Sequence, residues 1–171
     1  MDRQSLRFAF DHLKGRDNLS VAEIGVAYGV NADDIYTALN PKEMYLIDCY
    51  EIQPCGFEEF FTLEEHKSRY LSTLEKFSGR EGIHFIKKRS QEAALHIKDR
   101  SLDYIYIDAS HDEINVLIDI ACWYPKLKIG GVLGGHDIDY PSVKKIVSLM
   151  FGDFQMNGRD WWVVKKAEGY A

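Results

Sequence analysis

The chain has 171 residues, 46% of them hydrophobic, and a formal net charge of −6, which suits one domain whose core needs neither disulfides nor metal to hold it. The acidic balance argues against a nucleic-acid or anionic-membrane partner, since both need clustered Lys and Arg and Lys87-Lys88-Arg89 is too short a run. Cys49, Cys55 and Cys122 are odd in number and lack C-x-x-C spacing, so neither a disulfide framework nor a zinc knuckle is indicated.

Residues 3–14 set Leu6, Phe8, Phe10 and Leu13 among polar residues, which predicts a short leading helix and no secretory leader. No stretch reaches the roughly 18 apolar residues of a membrane span, and a cytoplasmic location is expected. Ser20 to Ile24 reads as the first strand. Asn31 is placed to cap a helix through Ile35, Ala38 and Leu39 that stops before Pro41. Met44 to Ile47 is a buried strand ending in Asp48, and Tyr50 to Thr62 is irregular and aromatic. Leu63 to Phe77 is an amphipathic helix closed by Ser78-Gly79. Ile83 to Ile86 is a third strand and Gln91 to Ile97 a short helix.

The alternation then repeats. Leu102 to Ile107 (LDYIYI) has the β-branched and aromatic content of a fully buried parallel strand. Glu113 to Trp123 is helical, Lys128-Ile129-Gly130-Gly131 turns into the strand Val132-Leu133, and Ser142 to Phe151 is a further helix. Phe154 to Met156 and Trp161 to Val164 are joined by only four residues, too few for a crossover helix, so they form an antiparallel hairpin at one edge. Because side chains alternate along a strand, one of Trp161 and Trp162 is expected in the core and the other toward solvent or a partner. Together these elements predict an α/β fold: a single doubly wound, Rossmann-like, seven-stranded sheet, mostly parallel with an antiparallel C-terminal hairpin. One domain is expected over residues 1–171, with residues 1–19 a leading helix and linker and residues 20–165 the catalytic core.

Chemistry concentrates at the strand ends. Val21 to Gly29 (VAEIGVAYG) closes an apolar run with an acid at Glu23 and glycines at Gly25 and Gly29. Glycine lets backbone come close to a ligand above the carboxyl ends of a sheet. The middle glycine of a G-x-G-x-x-G phosphate fingerprint is missing, and Glu23 would repel a phosphate but accept from an ammonium or hydroxyl, which points to a cofactor without phosphates. The alternative is a glycine-rich turn with no ligand. Asp48, 25 residues after Glu23, is placed to grip both hydroxyls of a ribose, or else to form a turn. Ser90 and Gln91 fall within reach of an adenine edge, or cap the next helix. Asp108 is followed by Ala109-Ser110-His111, and the fifth strand ends in Gly135-His136-Asp137. Acids and imidazoles converging there suit Mg²⁺ or Mn²⁺, or general-base work by histidine. The blander reading makes His111 a helix cap and His136 a turn residue.

VAEIGVAYG followed by Asp48 resembles the first two cofactor motifs of class I S-adenosylmethionine-dependent methyltransferases. Leu102 to Asp139, with its ID-x-S-H strand end, W-x-P-x-L-x-x-GG and G-H-D turn, is similar to the methyltransferase family 24 type. The resemblance spans about Ser20 to Val164. It implies that Glu23 holds the methionine amino group, with Gly25, Tyr28 and Gly29 along its path. It further implies that Asp48, beside Cys49, holds the ribose and that Ser90 and Gln91 border the adenine. Asp108 would face the methyl group and the acceptor, a small molecule or saccharide methylated at oxygen. A metal on Asp108, His136 and Asp137, or a base at His111 or His136, would deprotonate that acceptor. Two departures stand out. Glu113-Ile114 occupies a place where an aromatic often stands, and the stretch before Ser20 is short, so little of a separate lid is expected there. Tyr50 to Thr62, with Phe57, Phe60 and Phe61, is the best remaining candidate for a lid or a homodimer contact. A nicotinamide-dependent oxidoreductase and a non-catalytic binding domain are the competing readings.

Overall fold

The computed structural model describes residues 3–51 and 62–167. Cys55, Phe57, Phe60 and Phe61, and with them most of the expected lid, lie outside the described residues. Seven strands form one sheet: β1 (Ser20–Ile24), β2 (Glu43–Ile47), β3 (Ile83–Ile86), β4 (Leu102–Ile107), β5 (Leu127–Gly135), β6 (Gln155–Asn157) and β7 (Asp160–Val164). Their order is β3-β2-β1-β4-β5-β7-β6. The first five are parallel, and β7 inserts antiparallel between β5 and β6. The order reverses beside β1, so the carboxyl ends of β1 and β4 flank a switch point, where open α/β sheets bind ligands. The doubly wound sheet with its C-terminal hairpin is as the sequence predicts.

The helices lie on both faces: α1 (Gln4–His12), α2 (Val30–Leu39), α3 (Leu63–Lys76), α4 (Ser90–Ala94), α5 (Glu113–Trp123) and α6 (Pro141–Phe151). Every residue of β4 is buried. Tyr104 and Tyr106 pack with α1 and α2 residues on one face, while Leu102, Ile105 and Ile107 pack with those of α5 and α6 on the other. Thr62 and Glu65 close a capping box that fixes the start of α3.

Four local readings change. Gly29 caps α2 in a left-handed conformation, φ 66°, so Asn31 lies inside the first turn and is free to turn its amide inward. α4 begins at Ser90 and stops at Ala94. β5 runs from Leu127 to Gly135; Gly130 and Gly131 continue the strand through a register shift against β4 instead of forming a turn before it. Trp161 and Trp162 are both buried, at 1% and 8% exposure. The sheet is covered on both faces here, and Phe8 of α1 stacks on Trp162 at 5.5 Å, so neither indole is left for solvent.

Packing of α1 also places the chain's first described residue. Leu6 and Ala9 are fully buried, the Ser5 backbone N–H donates to Asp160 at 3.0 Å, and the Ser5 hydroxyl pairs with the Tyr104 hydroxyl at 3.1 Å. That anchorage carries Arg3 to the carboxyl end of β4.

Candidate active site

A cavity of about 270 Å³ opens above the carboxyl ends of β1, β2 and β4, and Gly25, Asp48, Cys49, Ser90, Gln91, Asp108 and His111 all line it. Glu23, Tyr28, Gly29, His136 and Asp137 do not. A small recess next to it is bounded by Asp108, His111, His136 and Asp137. Most of the residues singled out in the sequence therefore converge, but on two adjoining spaces.

The turn after β1 shows why its glycines are there. Gly25 has φ +87°, and a Cβ on it would collide with the Asp108 carbonyl. Its bareness lets the ends of β1 and β4 touch, and only then does it line the cavity. A Cβ on Gly29 would lie 3.0 Å from Phe77 and 3.1 Å from Thr73, so this glycine serves packing against α3. Tyr28 is 43% exposed and turned outward, under the Arg69 guanidinium at 5.4 Å.

Asp48 clamps the same turn. Its Oδ2 accepts from Val26 N–H at 3.0 Å and Ala27 N–H at 2.9 Å, and its Oδ1 from Tyr50 N–H at 2.8 Å. Ala27 and Tyr50 both have positive φ, 49° and 50°, a cost of order 1 kcal/mol each that ordered sites tolerate. With both lone pairs of Oδ2 spent, one acceptor direction remains on Oδ1. The bidentate ribose grip expected from the sequence would need more free acceptor positions than Asp48 has left.

Glu23 is 1% exposed. Asn31 Nδ2 donates to its Oε1 at 2.8 Å, while Oε2 and Asn31 Oδ1 have no hydrogen-bond partner. Burial pushes the Glu23 carboxyl up to about 8 against the Asn31 bond, with Asp108 and Asp48 adding to the rise. An orphaned buried carboxylate oxygen costs on the order of 1–3 kcal/mol and suits a cationic or hydroxylic partner.

On the far wall, Trp123 Nε1 donates to the Ser90 hydroxyl at 2.8 Å, which is also bonded to Asp119. Burial raises Asp119 to about 7, against the Ser90 bond. Asp119 was not singled out from the sequence. Its signal was nonetheless present: with Val116, Ile120 and Trp123 it lies on the buried stripe of α5, an acid where helical spacing calls for an apolar residue.

The ends of β4 and β5 form an ion network. Arg3 Nη2 lies 3.0 Å from Asp108 Oδ2, Arg3 Nη1 is 3.9 Å from Asp160, and the guanidinium stands 5.6 Å over the Tyr106 ring. Asp137 receives His111 Nε2 at 2.7 Å, His136 Nδ1 at 3.0 Å and the Arg159 guanidinium. His111 stacks on Tyr140 at 4.8 Å. His136 Nδ1 is 3.9 Å from Asp108, beyond hydrogen-bond range. Burial raises Asp108 despite Arg3. Asp137 is desolvated as well, yet the two histidines hold it well below the usual carboxylate range. Among the described residues the group close enough to share an ion is Asp108, His111 and Asp137, with ligand atoms within 4.8 Å of one another. His111 thus takes the place the sequence reading gave to His136.

Residues 22–138 match the methyltransferase domain family of the 24 type. The chain belongs to that family. It is a class I S-adenosylmethionine-dependent methyltransferase, which sets the nicotinamide reading aside. No curated protein matches the sequence. Solved structures share the fold at low identity. A protein from Corynebacterium glutamicum is 13% identical with a TM-score of 0.70, over 99% of this chain and 84% of that one. A candidate caffeoyl-CoA O-methyltransferase from Staphylococcus aureus is 15% identical with a TM-score of 0.68, over 96% and 84%. The O-methyltransferase NovP is 13% identical with a TM-score of 0.66, over 96% and 79%. No helix among the described residues is long and apolar enough to cross a membrane.

Proposed function

We propose that this methyltransferase acts on an oxygen of a small-molecule or glycan-like acceptor, with the cofactor in the cavity above β1, β2 and β4. The observation that carries the reading is the set of Gly25, Asp48, Ser90, Gln91 and Asp108 around one space of about 270 Å³. The names of the Staphylococcus aureus protein and NovP, both O-methyltransferases, support oxygen as the target.

The residues fit S-adenosylmethionine. The orphaned Glu23 Oε2, buried behind the cavity lining, suits the methionine ammonium through a water. The remaining acceptor direction of Asp48 suits a ribose hydroxyl, and Ser90 and Gln91 border the adenine. Bound there, the cofactor supplies a methyl carbon already activated by a positively charged sulfur. What remains for the protein is alignment of the acceptor and removal of its proton.

His111 is the histidine for that proton, because it lines the cavity and His136 does not. Asp137, 2.7 Å from His111 Nε2, favours the tautomer with its proton on Nε2, which would leave Nδ1 as the basic nitrogen. Asp108 borders the acceptor side. The test is a screen of hydroxylated acceptors with methyl-labelled cofactor. Transfer to oxygen that falls about a hundredfold in His111→Ala and little in His136→Ala supports the assignment. Equal loss in both variants, or transfer to nitrogen or carbon alone, contradicts it.

A further inference from the structure

We infer that the acid–histidine cluster at the ends of β4 and β5 is closed by two arginines and works without a divalent metal, with Arg3 holding Asp108 and Arg159 holding Asp137. The inference deepens the proposed reading of Asp108 as the acceptor end and rests on it for that role.

The donor types alone suit a hard cation: two carboxylates and an imidazole within 4.8 Å. Their charge does not. Asp108 Oδ2 is paired with Arg3 at 3.0 Å. Asp137 Oδ1 takes both Arg159 and His136, and its Oδ2 faces His111 Nε2. Three of the four carboxylate oxygens of Asp108 and Asp137 thus already face a guanidinium or an imidazole, so a dication would meet occupied acceptors and two fixed positive charges. Nor can either arginine yield by losing a proton, because guanidinium stays protonated in proteins. An incoming ion would have to displace both.

Both arginines are held by more than one partner, although the Arg159 side chain is half-exposed. Arg3 extends from a helix whose Ser5 is tied to Asp160 and Tyr104, and it also faces Asp160 and the Tyr106 ring. Arg159 is held a second time by Asp139, with Nε 3.1 Å from Oδ1 and 3.0 Å from Oδ2. Positions 3 and 159 both fall outside the stretch 22–138 that matches the family. The closure is therefore contributed by the flanking elements of this chain, α1 and the β6–β7 turn. A metal at this end would lower an acceptor hydroxyl's pKa and steady the developing oxyanion. Arg3 instead holds the Asp108 carboxylate in place at the cavity wall, and His111, which lines the cavity, takes the proton.

The test is a Mn²⁺ titration of the full chain followed by the loss of the free-ion electron paramagnetic resonance signal. Wild type is expected to bind no Mn²⁺ below about 1 mM, and Arg3→Ala/Arg159→Ala to bind it at least about tenfold more tightly, since two repelling charges are gone. Adding Asp137→Asn to that variant should abolish the gain. If the double variant does not fold by circular dichroism, Arg3→Gln alone should show a smaller gain of the same kind. Micromolar Mn²⁺ binding by wild type that Asp137→Asn removes would overturn the inference, as would no gain in the folded arginine variants. S-adenosylhomocysteine binding, measured by calorimetry on the same samples, reports separately on the cofactor cavity, so a failure of that reading is distinguishable from a failure of this one.

Discussion

The two ends of the strand-end cleft are held by different forces. Around β1 and β2 the proposed cofactor end is built from backbone: Asp48 spends its carboxylate on the amides of Val26, Ala27 and Tyr50, and Gly25 seats against the Asp108 carbonyl. Around β4 and β5 the proposed acceptor end is built from charged side chains brought from far apart, Arg3 to Asp108 and Arg159 to Asp137. The acids and histidines of both ends lie within the stretch that matches the family, whereas the two arginines lie outside it. A turn whose amides are tied to one carboxylate keeps its shape whatever the neighbouring side chains, which suits a site for an invariant cofactor. Side-chain ion pairs can be rebuilt one residue at a time, which suits an acceptor that differs from one enzyme to another.

Substitutions can break or sharpen this contrast. Gly25→Ala should have the largest effect, because it forces a Cβ onto the Asp108 carbonyl at a positive φ and so disturbs both ends. A loss of about 3 kcal/mol or more is expected in urea unfolding. Asp137→Asn should act on the acceptor end alone, costing about 2–3 kcal/mol at pH 7 by leaving Arg159 and two histidines short of a partner. Because Asp137 is held below its usual range in the folded state, its contribution is present above about pH 4 and is lost as pH falls through the folded value. The gap between variant and wild type should therefore narrow in acid. An accompanying fall in S-adenosylhomocysteine affinity would mean that the two ends are not separable.

Glu23 carries the opposite sign. Its carboxyl is raised from 4.5 to about 8, so its contribution to stability is full below about pH 4.5 and falls as pH rises toward 8. Glu23→Gln should therefore stabilise the cofactor-free protein at pH 8 by on the order of 2 kcal/mol, seen as a melting temperature roughly 4–8 °C higher, with little change at pH 4. Equal melting curves at both pH values would show that Glu23 ionises without strain. Smaller still, Asp48→Ala should weaken S-adenosylhomocysteine about tenfold, whereas Tyr28→Ala, outside the cavity, should change it less than twofold.

The parts legible in the sequence are those set by local pattern. LDYIYI announced a strand buried on both faces, the four residues between the last two strands ruled out a crossover, and the acids and glycines at strand ends marked the cleft. What escaped was decided by distant partners. Arg3 gains its role from α1 packing on Tyr104 and Trp162, across 99 residues of chain from Ser5 to Tyr104 and more to Trp162. Asn31 looked like a helix cap because capping chemistry favours it, yet Gly29 takes that place and frees the amide for Glu23. Trp162 looked half-exposed because alternation assigns it a face but cannot say that a leading helix covers that face.

The most direct test is a calorimetric titration of the folded chain with S-adenosylhomocysteine between pH 6 and pH 8. Micromolar binding that tightens with rising pH in wild type, and is flat with pH in Glu23→Gln, is the expected result, because in the proposed role Glu23 must lose its proton to pair with the ammonium. Absence of binding by a demonstrably folded sample would contradict the assignment of the cavity to the cofactor.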